Sequence, residues 1–148
     1  MSNFKIGIVS GYFNPLHAGH IEYINAAKKQ CDYLICIINN DDQVNLKGSA
    51  LFMDEDHRKI IVENLKGVDF AVISIDDDLS VSQTLENISN LEGINENCRL
   101  LFFNSGDRNP ENQNLKEVNI CKDKNIERVF LDLPKIYSSS TLKLNLTT

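Results

Sequence analysis

No stretch of this 148-residue sequence approaches the roughly 18 consecutive apolar residues of a membrane-spanning helix. Its first residues also lack the basic and apolar segments of a signal peptide. We therefore expect a cytoplasmic protein without a membrane partner. The sequence has no internal repeat, low-complexity segment or linker, and compact domains commonly have about 100–150 residues. A single domain over residues 1–148 is therefore expected.

Basic residues are in the minority, since 15 Lys and Arg stand against 21 Asp and Glu for a formal net charge of −6. A general nucleic-acid-binding protein needs a basic face, so nucleic acid is not expected as a partner. A small anionic substrate remains compatible with this charge, because a few nearby donors outweigh distant charges that salt screens.

Cysteine is scarce, and the cysteines lack the spacing of a metal-binding motif. The four cysteines, Cys31, Cys36, Cys98 and Cys121, form no C-x-x-C pair and no other metal-binding spacing. Cys36 lies within an apolar run, as a buried thiol would. We predict four reduced, structural cysteines and assign no metal ligand to the protein.

Apolar runs alternate with helical patterns along the chain. Strands are predicted at residues 4–10, 33–39, 70–75, 99–104 and 127–133. Helices are predicted at 19–30, from 54 through 65, from 80 through 91, from 109 to 125 and after 138, with a polar loop at 40–49. This alternation predicts an α/β fold, a Rossmann-like doubly wound five-stranded parallel sheet with helices on both faces.

Apolar helical stripes should face the sheet. The predicted stripes contain Ile21, Ile24 and Ala27; Ile60, Ile61 and Leu65; Val81, Leu85, Ile88 and Leu91; and Leu115, Val118 and Cys121. Ser80-Val81-Ser82-Gln83 is typical of a capping box before the third of these helices.

The most informative stretch is Gly11-Tyr12-Phe13-Asn14-Pro15-Leu16-His17-Ala18-Gly19-His20, which joins the first strand to the first helix. Two of the three histidines in the chain lie here, three positions apart. A strand, a tight turn and a helix start form a natural anion site, because free backbone N–H groups and the positive end of the helix dipole face the ligand. This stretch is predicted to hold a nucleotide triphosphate.

Candidate polar residues follow four of the five predicted strands. His17 and His20 follow the first, Lys47 the second, Gly106 and Asp107 the fourth, and Ser138 to Thr141 the fifth. Ligands of such sheets bind beyond the carboxyl ends of the strands, where the strand order reverses. These four loops are therefore predicted to meet at one edge.

The stretch from Gly11 to His20 resembles the signature G-x-F-D/N-x-x-H-x-G-H of the cytidylyltransferase-like nucleotidyltransferase superfamily. Lys47 and the segment 56–69 resemble its helix-two region, Ser105-Gly106-Asp107 resembles its G-D loop, and residues 137–141 resemble its I-S-S/T-T motif. Four motifs in family order on an alternating chain are far more specific than H-x-G-H alone. The chain is most similar to glycerol-3-phosphate cytidylyltransferases and the heptose-phosphate adenylyltransferase domain.

This resemblance implies a nucleotidyltransferase that moves CMP from CTP, or AMP from ATP, to a sugar, polyol or amino-alcohol phosphate and releases pyrophosphate. It also implies Mg²⁺, bound mainly by the triphosphate and water, and a homodimer. His17, His20 and Lys47 would be catalytic. Nucleotide would be bound by Gly11, Tyr12, Phe13, Asn14, Gly19, Gly106, Asp107, Ser138, Ser139, Ser140 and Thr141, and the acceptor by Arg58, Lys66 and Arg108.

Two departures from the family pattern keep other functions open. The arginine that precedes the serine run in glycerol-3-phosphate cytidylyltransferases is absent, with Lys135 nearby, so a non-catalytic nucleotide-binding regulatory module is one alternative. Asn14-Pro15 is similar to nicotinamide-mononucleotide adenylyltransferases, which gives another. H-A-G-H also resembles the H-I-G-H of class I aminoacyl-tRNA synthetases, but the chain is short and acidic and has no K-M-S-K-S loop.

Each functional assignment has a structural alternative. The histidine pair could cap the helix, Lys47 could be a solvated loop residue, and Arg58 could pair with Asp54 on a helix surface. The run of acids at 76–78 is expected to form a solvated turn. Phe102 and Phe103 are expected in the core rather than beneath a base.

Overall fold

A computed structural model describes residues 4–94, 97–105 and 114–133. The chain forms a five-stranded sheet with the order β3-β2-β1-β4-β5, in which every neighbouring pair is parallel. The strands are β1 Lys5–Gly11, β2 Tyr33–Ile38, β3 Phe70–Ile73, β4 Arg99–Asn104 and β5 Ile126–Phe130. The helices are α1 Ala18–Lys28, α2 Asp41–Lys47, α3 Glu55–Glu63, α4 Ser82–Ser89 and α5 Leu115–Asp123.

Two apolar cores lie on opposite faces of this sheet. On one face, Ile24 of α1 and Val62 of α3 pack with alternate strand residues such as Val9. On the other face, Leu85 of α4 and Cys121 of α5 pack with the intervening strand residues, such as Ile8. This side-chain alternation is what a sheet covered by helices on both faces requires, and it confirms the predicted doubly wound α/β fold.

The strand order reverses at β1. The chain proceeds outward from β1 through β2 to β3, and then returns to the other side of β1 for β4 and β5. The carboxyl ends of β1 and β4 therefore lie at the switch point, where folds of this kind have room for a ligand. The histidine pair lies at the start of α1, after the turn that follows β1.

One predicted loop is wrong. Residues 41–47 form the helix α2, where a polar loop was expected. Asn40 caps it, accepting a hydrogen bond from Gln43 N, while the Gln43 side chain accepts from Asn40 N. Gly48 ends the helix with a φ of 82°, a left-handed conformation that glycine adopts without strain.

The predicted capping box at Ser80 is also wrong, because α4 begins two residues later and Val81 makes no side-chain cap. The carboxylate of Asp76 takes that role, accepting hydrogen bonds from Gln83 N at 2.8 Å and Thr84 N at 3.1 Å. Asp76 is buried, so the expected solvated turn at 76–78 is wrong at this residue. A negative charge at a helix start is stabilised by the free N–H groups there.

The predicted helical stripes are right in their centres and wrong at some edges. Ile24, Ala27, Leu85, Ile88, Val118 and Cys121 are buried, whereas Ile21, Ile60, Leu91 and Leu115 are exposed. The buried face of each of these helices is therefore narrower than the predicted apolar stripe. Phe102 and Phe103 are in the core, as predicted, and the four cysteines are free thiols.

The described part of the chain contains no helix long and apolar enough to cross a membrane.

Candidate active site

A sharp turn carries the chain from β1 to α1. Gly11 ends β1, and a Cβ atom there would lie 2.8 Å from the Phe13 ring, so a larger residue would collide with it. Phe13 has a φ of 51° and is only 1% exposed. Its side chain is therefore a core residue beneath the turn, not the nucleotide contact that the resemblance implied.

The two histidines form the cap of α1. His17 Nδ1 accepts a hydrogen bond from Gly19 N at 3.1 Å, and His20 Nδ1 accepts one from His17 N at 3.1 Å. The capping alternative is thus present. Because both Nδ1 atoms are acceptors, each neutral imidazole carries its proton on Nε2. The cap fixes the tautomer that offers a donor to a ligand.

The imidazoles are held together and kept neutral. Their centroids are 3.8 Å apart in a stacked arrangement, and the Phe13 ring meets His20 edge-on at 4.9 Å. Burial, with the nearby charges of His17 and Lys47, lowers the pKa of His20 to about 3. Burial also lowers the pKa of His17. At neutral pH the pair supplies two uncharged N–H donors.

Lys47 carries a positive charge close to the histidine pair. It is the last residue of α2, and its Nζ atom lies 4.2 Å from the centre of the Tyr12 ring. A cation over an aromatic face is attracted to the ring. Its charge contributes to lowering the pKa of His20, after burial and the charge of His17. The structure thus brings Lys47, Tyr12 and the histidine pair together.

Arg58 occupies a different place from either expectation. It is fully buried, not on the helix surface beside Asp54. Its guanidinium donates to the carbonyl oxygens of Tyr12, Asn39 and Met53, and to Asp41 Oδ1 at 2.7 Å. Four of its contacts are internal, so Arg58 joins the ends of β1 and β2 to the start of α3 and is placed to hold the site rather than to contact an acceptor.

Asn14 is a second internal anchor where nucleotide contact was expected. Its side chain is buried, donating to Ala50 O at 2.7 Å and accepting from Phe52 N at 2.8 Å. The Asn14-Pro15 peptide bond is cis. Asn14 therefore fixes the loop between α2 and α3 against the histidine turn.

Lys66 is at the wrong end of the sheet for its predicted role. It follows α3 and precedes the first residue of β3, whereas the histidines follow the last residue of β1. In a parallel sheet these are opposite edges. Gly106, Asp107, Arg108, Lys135 and Ser138 to Thr141 lie outside the described residues.

Asp41 is a site residue that the sequence reasoning missed. Its carboxylate is the one acidic partner of the buried Arg58 guanidinium. The signal was present, because Asn40 followed three residues later by Gln43 is a capping-box pattern, and acids suit the first helical turn.

The site therefore offers a helix start, two fixed Nε2–H donors and a lysine ammonium at a topological switch point. Such a set of donors can hold phosphate oxygens without a general base. These features make the turn after β1 the candidate anion site of this α/β sheet.

The family follows from the sequence as a whole. The model of the cytidylyltransferase-like family matches residues 8–140, and the chain belongs to that family. It is 40% identical over 72 residues to the FAD synthase of Picrophilus torridus, a match that covers 49% of this chain and 52% of that protein. It is 36% identical over 75 residues to the bifunctional protein HldE of Mesorhizobium japonicum, covering 49% of this chain and 15% of that one. The chain spans about half the length of the FAD synthases it matches.

Solved structures share the fold at low identity. A lipopolysaccharide core biosynthesis protein from Thermoplasma volcanium has a TM-score of 0.67 at 21% identity, covering 88% of this chain and 98% of that one. A bifunctional NMN adenylyltransferase/ADP ribose pyrophosphatase from Francisella tularensis, complexed with AMP and a manganese ion, has a TM-score of 0.64 at 16% identity, covering 96% of this chain and 41% of that one. These likenesses support the α/β fold.

Proposed function

We propose that this protein is a nucleotidyltransferase that transfers AMP from ATP to a small phosphomonoester and releases pyrophosphate. The observation that carries the proposal is the pair of neutral Nε2–H donors from His17 and His20 beside the charge of Lys47. AMP is favoured over CMP because the similar FAD synthases make a product that contains AMP.

The chemistry matches the groups available. An oxygen of the acceptor phosphate attacks the α-phosphorus of ATP and forms a new P–O bond. The bond between the α-phosphorus and the oxygen that bridges to the β-phosphate breaks, and its electron pair leaves with pyrophosphate. A phosphomonoester has a second pKa near ~6, so it is mostly a dianion at pH 7 and needs no base. The barrier then depends on positioning two anions and stabilising the charge that moves toward the leaving group.

Each residue has a proposed role in that step. His17 and His20 donate hydrogen bonds to the phosphate oxygens that gain charge, and Lys47 neutralises the α-phosphate or the acceptor. Gly19 donates its backbone N–H to His17 Nδ1, and its proposed role is to hold the cap that orients this imidazole. The remaining contacts are proposed from the resemblance: Gly106 and Asp107 to the nucleoside, Arg108 to the acceptor, and Ser138 to Thr141 to the β- and γ-phosphates.

Mg²⁺ is proposed to enter with the nucleotide. Within residues 4–94, 97–105 and 114–133, no group of three or more His, Cys, Asp and Glu side chains could hold a metal ion. The donors found there suit phosphate oxygens, and Mg²⁺ usually keeps several waters and binds through substrate phosphates. When bound, the ion would neutralise charge on the β- and γ-phosphates.

The acceptor is proposed to be a phosphomonoester with FMN as the first compound to test, because joining AMP to FMN gives FAD.

A cytoplasmic homodimer is proposed from the family resemblance, and the solution mass should then be twice the chain's 16.8 kDa.

A pyrophosphate-release assay tests the function directly. ATP and CTP are each paired with FMN, glycerol 3-phosphate, a sugar 1-phosphate and NMN. We expect turnover with ATP and one of the phosphomonoesters, and a strong loss in the variant His17→Asn, which keeps a helix cap. Conversion of NMN alone would favour the nicotinamide-mononucleotide alternative. ATP binding by a folded sample without turnover on any pair would contradict the proposal and favour a regulatory module.

A further inference from the structure

We propose that a basic cavity at the outer edge of the sheet binds a small anion that carries a phosphate group, at a site separate from the histidine pair. The cavity has a volume of about 460 Å³ and lies between the first residues of β4 and β5 and the end of α5. Nothing in the reaction proposed above requires it, so it stands independently of that reaction.

The charge of this cavity is opposite to that of the protein. Among the described residues, Arg99, Lys122, Lys124 and Arg128 line it, and Glu127 is the acidic one. These described lining residues carry four positive charges and one negative charge, in a chain whose formal net charge is −6. The carboxyl end of α5 offsets only about half a charge. An anion is therefore the ligand that this cavity favours.

Arg128 lines the cavity and carries a guanidinium whose hydrogen bonds are not all made. Its Nη1 atom is buried and is the only buried side-chain nitrogen or oxygen in the described part of the chain without a hydrogen-bond partner. Leaving a buried donor unpaired is costly, and the cost is greater for a charged group. A phosphate oxygen is a well-matched acceptor for a guanidinium, which can donate two parallel hydrogen bonds to it.

Two neighbouring residues, Cys121 and Glu127, do not neutralise Arg128. Burial raises the pKa of the Cys121 thiol to about 12, although the charge of Arg128 acts against that rise. Cys121 is therefore an uncharged neighbour at neutral pH. Glu127 bonds to Arg99 instead, with Arg99 Nη2 at 3.0 and 3.4 Å from its two carboxylate oxygens. Neither Cys121 nor Glu127 therefore neutralises the positive charge of Arg128.

Size and position define the class of ligand. Small-molecule sites commonly occupy about 300–1,000 Å³, so the cavity suits a compact anion such as phosphate or pyrophosphate. Arg99 of β4 lies beside Lys5, the first residue of β1, in the register of the sheet. The histidines follow Gly11, the last residue of β1. At about 3.3 Å per residue the two sites are separated by roughly 20 Å along the strands.

Amide NMR titrations at constant ionic strength can separate the two sites. Sodium pyrophosphate and sodium phosphate are added to the ¹⁵N-labelled full chain, with sodium chloride as the blank. We expect saturable shifts at residues 121–128 with either phosphate compound. Shifts near His17 report the other site, so failure of one site leaves the other measurable.

The substitution Arg128→Met removes the charge but keeps the side chain long and apolar. It should weaken binding at residues 121–128 by about tenfold or more and leave the shifts near His17 unchanged. Lys59→Met, on α3 and paired at 3.9 Å with Glu63, is the matched control and should change neither. If Arg128→Met does not fold, the double variant Lys122→Met/Lys124→Met should weaken binding instead.

Two results would overturn the proposal. One is the absence of saturable shifts at residues 121–128 with about 10 mM of either phosphate compound, a concentration well above a millimolar Kd. The other is binding there that Arg128→Met and the lysine double variant both leave unchanged.

Discussion

At the scale of single residues, His17 has two roles that can be separated. Its Nδ1 atom caps α1, and its Nε2–H is free to face a ligand. Asparagine is among the best N-cap residues, whereas alanine at an N-cap costs about 0.5–2 kcal/mol. We expect His17→Asn to keep the stability of the wild type and His17→Ala to lose it in urea unfolding.

Both variants should nevertheless lose turnover. Removal of one donor that stabilises transition-state charge typically costs about 10²–10³ in kcat. The prediction is therefore a loss of about 10²-fold or more in kcat for His17→Asn and His17→Ala alike, measured by pyrophosphate release. An asparagine variant with wild-type kcat, or a change confined to KM, would contradict the donor role.

The buried imidazole of His20 makes stability depend on pH. Its pKa is lowered to about 3, whereas the ordinary value in an unfolded chain is 6.5. Below pH 6.5 the unfolded chain takes up a proton that the folded chain does not, so the free energy of unfolding falls with falling pH between about 6.5 and 3. Above pH 6.5 this contribution is absent.

The substitution His20→Gln isolates that effect, because glutamine at this position can still complete a capping box but does not titrate. From pH 7.5 to pH 5, the wild type should lose about 2 kcal/mol more stability than His20→Gln. Urea unfolding at several pH values provides the measurement. Parallel pH profiles for the two proteins would contradict this, because they would mean that His20 has the same pKa in the folded and unfolded chain.

The sequence was sufficient to identify the histidine pair, but not its state. The spacing of His17 and His20 and the turn before them indicated an anion site. The capping bonds, the tautomer and the neutral charge depend on ring orientation and burial, which spacing does not encode. For the same reason Asn14 and Phe13, which the motif assigned to nucleotide, were not recognised as internal supports.

At the scale of elements, Arg58 holds together the loops that form the site. Its substitution by methionine leaves three backbone carbonyl oxygens and the Asp41 carboxylate without their partner. Removing one member of a buried ion pair typically costs about 3–5 kcal/mol. We expect Arg58→Met to lose stability by about this amount in urea unfolding.

Arg99→Met is the matched control for that experiment. Arg99 also bonds a carboxylate, but its side chain is 49% exposed and that of Glu127 is 56% exposed. Exposed pairs of this kind contribute about 0–1 kcal/mol. Equal losses of stability in the two variants would mean that the buried network around Arg58 is not what holds the loops.

The elements themselves were largely predictable, because the five strands are apolar runs and four of the five described helices carry apolar residues at helical spacing. The α2 helix was missed since its seven residues are mostly polar and show little period. The cap of α4 was misassigned because the local sequence favoured Ser80. The residue that accepts hydrogen bonds from the first N–H groups of α4 is Asp76, which lies beyond the end of β3. Contacts of this kind depend on the tertiary structure.

At the scale of the whole molecule, the net charge and the site have opposite signs. The formal charge is −6, while the proposed substrates are anions and the groups that meet them are local donors. At an ionic strength of 0.01 M the Debye length is about 30 Å, so an approaching nucleotide is repelled by the net charge of the whole molecule. At 0.1 M the Debye length is about 10 Å, and only nearby charges act on the nucleotide. Salt should therefore screen the general repulsion more than the contacts made within the site.

We accordingly expect kcat/KM for ATP to rise by about two- to fivefold when salt increases from about 10 to 100 mM, as Coulomb estimates for charges about 20 Å apart suggest. Steady-state pyrophosphate release in sodium chloride measures this, and potassium acetate serves as the control for specific effects of either ion. A steady fall of kcat/KM over the same range would mean that attraction by the local positive charges extends well beyond the site and dominates the approach of the substrate.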